Sequence, residues 1–414
     1  MIPPFWTLAW LAHMMWGGQS SDTLTPRRIL GMYGSACVQS SAINSDFLAL
    51  YLRGRYIGED VKVRSYERLR STNRLGVDVS WQVVYGERPD SGFMGRHHLG
   101  WHVHLGGSTL WGARFTDDAG RLALYGNAPW AGDSLVLSPL KVRALTWQEA
   151  GVGLFKWCVF PTMRLHWMAS LNYVNPTQFF SGHWKDGYLI TSEDGSFIKT
   201  AGHIQWHQSD PHRASYFNPR GAGFSFHMAA GIRWRSFSVE AEARDVGKIF
   251  GNIGTRHFSL DTALNFQGVY IPHVLRIDSA FISQILDSAQ TAILKPWHRA
   301  RWNMALPALL SLRFTGYFPG QKVGLSLQVR YRTGLFQIPE TALGLTVHPH
   351  AMLAFQFSGQ YGGWGRWNGG FHLALKLPGG WKAGLGTSML DALLAPSWNS
   401  GLGGYFCLSK VWSR

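Results

Sequence analysis

The chain has 414 residues, rich in Gly (48), Trp (20), Phe (24) and Tyr (14), with only 15% charged residues and a formal net charge of +15. Soluble domains average about 25% charged residues, and a mean hydropathy of -0.08 is equally unusual for a bundle of membrane helices. Both values fit a chain in which apolar and polar residues alternate singly, so that neither average moves far.

The aromatic excess suits girdles of Trp and Tyr at two membrane interfaces. Cys37, Cys158 and Cys407 are scattered, without the spacing of a metal site or a disulfide framework. The basic residues come mostly singly, as in Val61-Lys62-Val63-Arg64. That pattern points to anionic partners such as lipopolysaccharide phosphates or an acidic envelope protein, and not to nucleic acid.

At the N-terminus, the apolar run Ile2 to Trp16 ends at Gly17-Gly18 and meets polar Gln19-Ser20-Ser21-Asp22. Residues 1–18 read as a secretory signal segment, although no Lys or Arg precedes the run. Residues 19–45 then read as a periplasmic or plug segment, and 46–414 as one barrel. Beyond residue 18 no run of 18 apolar residues occurs, so any crossing of a membrane must be made by strands.

Strand-like segments follow throughout. Phe47 to Ile57 is the first, and Arg74 to Tyr85 sets Leu75, Val77, Val79 and Trp81 on one face. Leu99 to Phe115 reads as two short strands around Gly106-Gly107. Ala150 to Phe160 and Met163 to Val174 form a pair bent at Pro161. Polar stretches at Gly182 to Phe217 and Gly251 to His257 read as exposed loops. In Ser236 to Arg244, Phe237, Val239, Ala241 and Ala243 alternate with Ser238, Glu240, Glu242 and Arg244. Ile277 to Leu294 breaks the rule: Ile282, Ile285, Leu286, Ala289 and Ile293 recur at helical spacing, with Asp278 and Ser279 as caps and Pro296 beyond the end. One short amphipathic helix between strands is expected there.

The second half resumes with Ala305 to Phe318. In Lys322 to Thr333, Leu325, Leu327, Val329 and Tyr331 oppose Ser326, Gln328, Arg330 and Arg332. Gly370 to Thr387 sets Phe371, Leu373, Leu375 and Leu377 against His372, Ala374 and Lys376, turns at Pro378-Gly379-Gly380, and resumes with Trp381, Ala383 and Leu385. Leu402 to Trp412 closes the series with an aromatic residue near the end, as outer-membrane barrels do. The fold class is all-β: a transmembrane antiparallel β-barrel of roughly 14 strands, by length and segment count.

Four patches resemble an uncharacterised Bacteroidota family of outer-membrane β-barrel domains. Tyr125-Gly-Asn-Ala-Pro-Trp-Ala-Gly132 is similar to its turn before the first large strand pair. Asp245-Val-Gly247 with Ile249 resembles a strand end, Leu306-Pro307-Ala308 the opening of its C-terminal half, and Ser388 to Leu393 a later element. The resemblance runs from about residue 120 to the end. It implies a barrel shaped like long-chain fatty-acid transporters and the shuttle barrel of type IX secretion, with no established activity.

Chemistry is sparse. His102 and His104 share a strand face, with His98 upstream, and could offer ligands to a metal. Ser225 and His227 are same-face neighbours with Asn218 upstream, the residue types of a hydrolase. Neither set is complete in sequence, so no enzymatic role, cofactor or metal is expected. Glu240, Glu242, Arg244, Arg330, Arg332, Lys376 and Lys382 fall on the polar faces and are expected to line the lumen. The expected function is a transport channel or shuttle for a small hydrophobic molecule. The alternative is an accessory barrel that binds a secretion or surface-export component.

Overall fold

The computed structural model describes residues 27–89, 99–209, 221–251, 255–267, 298–299, 301–318, 320, 322–397 and 399–412. Among them, fourteen antiparallel strands close one wall. They are β1 (Arg28–Ser40), β2 (Asn73–Glu87), β3 (Leu99–Phe115), β4 (Leu140–Val159), β5 (Met163–Thr191), β6 (Gly221–Trp234) and β7 (Phe237–Gly251). The second half supplies β8 (Leu309–Tyr317), β9 (Val323–Arg332), β10 (Ile338–His350), β11 (Leu353–Gly363), β12 (Trp367–Lys376), β13 (Trp381–Thr387) and β14 (Gly401–Trp412). β14 returns to β1, with Arg28 opposite Trp412 and Gln39 opposite Gly401.

Side-chain burial settles which solvent each face meets. On β9, Leu325, Leu327, Val329 and Tyr331 are exposed, while Ser326, Gln328, Arg330 and Arg332 are buried. On β2, Val79, Trp81 and Val83 are exposed and Asp78, Ser80 and Gln82 buried. A soluble sandwich would do the reverse. An apolar outer belt on a sheet without edges is the arrangement that satisfies every backbone group in lipid. Several connections sort by length in the same sense. Residues 160–162, 235–236 and 351–352 make tight turns at the end where the termini lie, whereas 41–72 and 116–139 lie at the other end. Short turns on the periplasmic side and longer external loops are the rule for such barrels.

The structure moves several boundaries. Arg28–Ser40, assigned above to a segment preceding the barrel, is a wall strand paired on both sides. The stretch read as a strand from Phe47 begins instead with a helix, Ser45–Leu52, because the Asn44 side chain accepts from the Phe47 N–H and caps it. Further helices span Glu59–Tyr66, Asp117–Tyr125 and Leu390–Leu394. Leu99–Phe115 is a single strand. Gly107 is no break: its missing side chain makes room for Trp81, whose Nε1 would lie 2.6 Å from a Cβ there. Residues 182–191 of β5 pair with Phe197–Gln208, which pairs with Arg256–Gln267. Residues 182–191, 197–208 and 256–257 of these stretches are therefore strands of a sheet and not loops, while 210–217 and 252–254 lie outside the described residues. The signal segment, the Ile277–Leu294 helix, His98 and Asn218 lie outside the described residues.

Candidate functional site: a bridged lumen beneath an apolar mouth

Inward positions on β2, β4, β7, β8, β9 and β10 carry Asp78, Glu149, Glu240, Glu242, Asp245 and Glu340 against Arg244, Arg313, Arg330 and Arg332. A charge removed from water is tolerable only when paired and hydrogen-bonded, and the pairing here is extensive. Arg332 contacts Asp245 at 3.3 Å and Asp78 at 3.6 Å, and donates to the Pro307 carbonyl at 3.1 Å. Arg244 contacts Glu149 at 3.5 Å and Asp245 at 3.4 Å. Arg330 pairs with Glu340, its cross-strand partner, and Arg313 stands opposite Glu240 in the ladder. β2 and β9 are half the ring apart, so the Arg332–Asp78 pair bridges the lumen from wall to wall.

Strand alternation alone does not produce this cluster. Arg244 and Asp245 are adjacent in sequence yet both buried, because a β-bulge shifts the register between Phe226 and Met228. Asp245 sits at φ 56, a left-handed conformation that Asp tolerates better than most residues. Continuing the alternation past Arg244 would put Asp245 on the other face, and the sequence reading did not single out Asp78, Glu149, Arg313 or Glu340 as partners. Asp78 within Val77-Asp78-Val79 was the available signal.

The sequence candidates distribute as follows. Glu240, Glu242, Arg244, Arg330 and Arg332 belong to this cluster. Lys376 and Lys382 face each other across the β12–β13 ladder, near the periplasmic end. His102 and His104 are buried and stacked at 5.9 Å, each over a glycine of β4, Gly153 and Gly151. Among the described residues no group of three or more His, Cys, Asp or Glu converges as a ligand set. His227 contacts Glu242 at 2.5 Å, and Ser225 accepts from Asn172 at 3.1 Å. Both side chains are buried.

Above the charged layer, toward the external end, the interior turns apolar. Leu110, Leu145, Trp147, Val174 and Phe179 of the wall meet Leu335, Trp364 and Met389 from the external connections. Two hairpin tips, residues 333–337 and 364–366, reach into the mouth. Trp364 donates its indole N–H to the Leu335 carbonyl at 2.7 Å and lies against Gly76 of β2. A Cβ at Gly76 would sit 2.1 Å from the indole, and one at Gly112, its cross-strand partner, 2.7 Å from the Leu335 oxygen. The paired glycines are thus a seat for the tips. Arg143 of β4 fastens the other side, donating to the Gly334 and Ala305 carbonyls at 3.2 Å each.

No family model matches the chain, and no curated protein sequence matches it. The motif patches therefore remain a resemblance. Among solved structures the chain is similar to the toluene transporter TodX of Pseudomonas putida, at 8% identity and a TM-score of 0.46, over 95% of this chain and 91% of that one. It is also similar to a FadL homologue of Pseudomonas aeruginosa, at 8% identity and a TM-score of 0.40, over 93% and 90%. Outer membrane phospholipase A of Escherichia coli follows at 9% identity and a TM-score of 0.24, over 98% and 96%. Likenesses of this order leave function to the barrel's own residues.

Proposed function

We propose that the chain is an outer-membrane barrel that passes a small hydrophobic molecule, with its lumen stoppered in the state described. The observation that carries this reading is how the lumen is closed. Eight strands enclose about as much space as their own side chains fill, and more strands enclose more. Here, among the described residues, two hairpin tips seated in a glycine notch and a charged bridge beneath them lie across the space fourteen strands enclose. Parts of this kind can be displaced without rebuilding the wall. The apolar lining of Leu110, Leu145, Trp147, Val174 and Phe179 offers a hydrophobic solute a favourable site once the tips lift.

The test is uptake of a fluorescent naphthylamine into proteoliposomes. Uptake above that of lipid alone is expected, faster for Arg143→Ala, whose tip has lost its fastening. Uptake equal to lipid alone for both proteins would overturn the reading. A non-transporting accessory barrel would then be favoured, since the sheet of residues 185–191, 197–208 and 256–267 extends past the wall strand Leu140–Val159 and offers a surface for another envelope protein.

A further inference from the structure

On the external side, the helices α1 (Ser45–Leu52), α2 (Glu59–Tyr66) and α3 (Asp117–Tyr125) form a ledge outside the wall. Their apolar residues Phe47, Leu48, Val61 and Leu124 form one cluster. It packs on Val38 and Leu75, which alternate with inward-facing Cys37, Gln39 and Gly76 and so belong to the outer face. The ledge is therefore continuous with the upper edge of the lipid-facing belt.

Six consecutive residues of this ledge, Tyr51 to Tyr56, are exposed, with Leu52 at 66% and Tyr56 at 86%. Gly54, at φ 62, ends α1: its N–H donates to the Tyr51 carbonyl and the Arg55 N–H to the Leu50 carbonyl. The turn holds Arg53 and Arg55 on either side of the glycine, beside the exposed aromatic rings. The nearby acids are largely taken. Arg64 pairs with Asp46 at 3.5 Å and Asp60 at 3.0 Å, and Arg121 with Asp117 at 3.4 Å and Asp118 at 3.1 Å. Glu59 and Glu67 stay exposed at the ends of α2, and among the described residues no ion pair reaches Arg53 or Arg55.

We infer that this ledge docks the phosphate-bearing headgroup of an anionic lipid of the outer leaflet, with Arg53 and Arg55 on the phosphates and Tyr51, Leu52 and Tyr56 at the acyl boundary. Tyr prefers that depth of a membrane because its ring is apolar and its hydroxyl polar. Guanidinium groups bind phosphate by paired N–H donors. The occupant follows from continuity with the belt: a lipid is what borders it. The inference does not depend on what crosses the lumen.

The test uses the full barrel in phosphatidylcholine nanodiscs doped with bisphosphoryl lipid A or with its dephosphorylated form, and counts bound lipid by native mass spectrometry. The wild type should prefer the bisphosphoryl form. The double variant Arg53→Glu, Arg55→Glu should lose that preference by about tenfold or more, while Lys322→Glu, a charge reversal at the opposite rim, keeps it. Heat-modifiable migration of each variant confirms a closed barrel. Equal binding of the two lipids by the wild type, or an unchanged preference in the double variant, would overturn the inference, the second pointing to a protein partner for the ledge.

Discussion

Asp78 and Arg332 stand on strands half the ring apart, yet their side chains meet at 3.6 Å. The lumen is therefore bridged at that level by one guanidinium that also serves Asp245 and the Pro307 carbonyl. Arg332→Met should strand the buried Asp78 carboxylate and leave Asp245 with Arg244 alone, at a cost of about 3–5 kcal/mol, read as a lowered urea midpoint in detergent micelles. Asp78→Asn leaves a neutral hydrogen-bonding group in place and should cost less. Equal midpoints for Arg332→Met and the wild type would mean that the pair holds nothing together.

Trp364 and Gly76 invite the second prediction. Gly76→Ala cannot coexist with the seated indole, and overpacking of this kind costs about 1–3 kcal/mol. The expected relief is displacement of the tip, which should quicken naphthylamine uptake and increase hydrogen exchange at residues 364–366. Trp364→Ala should have the same direction and leave Gly76→Ala without further effect. Additive effects of the two substitutions would separate the glycine from the seat.

The alternating pattern was legible because burial in a barrel is a period-2 property. Leu325 to Tyr331 against Ser326 to Arg332 reads correctly from sequence, and so does a strand number near fourteen. The mouth was not legible, since Gly76, Gly112, Leu335 and Trp364 are far apart in the chain and a glycine does not announce what fills its missing side chain. Nor was the bulge: one residue of slip brings Asp245 to the face of Arg244, against parity. Helix α1 was missed because eight residues are too few to tell a period of 3.6 from one of 2 when the Asn44 cap is overlooked.

Inner and outer substitutions should differ by environment. Leu327→Arg places a cation in the outer belt and should cost about 2–4 kcal/mol near the bilayer midplane. Not every inner position makes a mild control, and Ala374→Arg shows why. Ala374 packs among Tyr33, Tyr405 and Cys407, so arginine meets a filled interior there too. Ser311, half-buried beside Gln328, is the better control. Ser311→Lys should cost less than Leu327→Arg in the same urea titration.

The sheet that extends past the wall strand Leu140–Val159 carries a pH dependence. His207 and His257 face each other with Nδ1 atoms 2.9 Å apart. Burial, and then the neighbouring His257 ring, hold the His207 imidazole below its ordinary value. The unfolded segment thus binds the proton more readily, so the contribution to stability is full above about pH 6.5 and is lost as pH falls below it. The protection of amides across residues 197–208, with the intrinsic base-catalysed exchange rate divided out, should fall between pH 7.5 and 5. His207→Gln should flatten that response; an unchanged response would assign it to another group.

The seam between β1 and β14 has a consequence for how the barrel is made. Ser45 donates to the Gly401 carbonyl across 356 residues of chain, beside a ladder that runs from Gln39–Gly401 to Arg28–Trp412. No earlier strand can satisfy the free edge of β1, so that edge stays open until the last strand is delivered. Closure is the slowest kind of contact to form, because nearly the whole loop entropy of the chain is spent at once. Until then the molecule presents two unpaired edges, each a template for a neighbouring chain. A truncation that removes only β14 should therefore yield aggregates and not a smaller barrel.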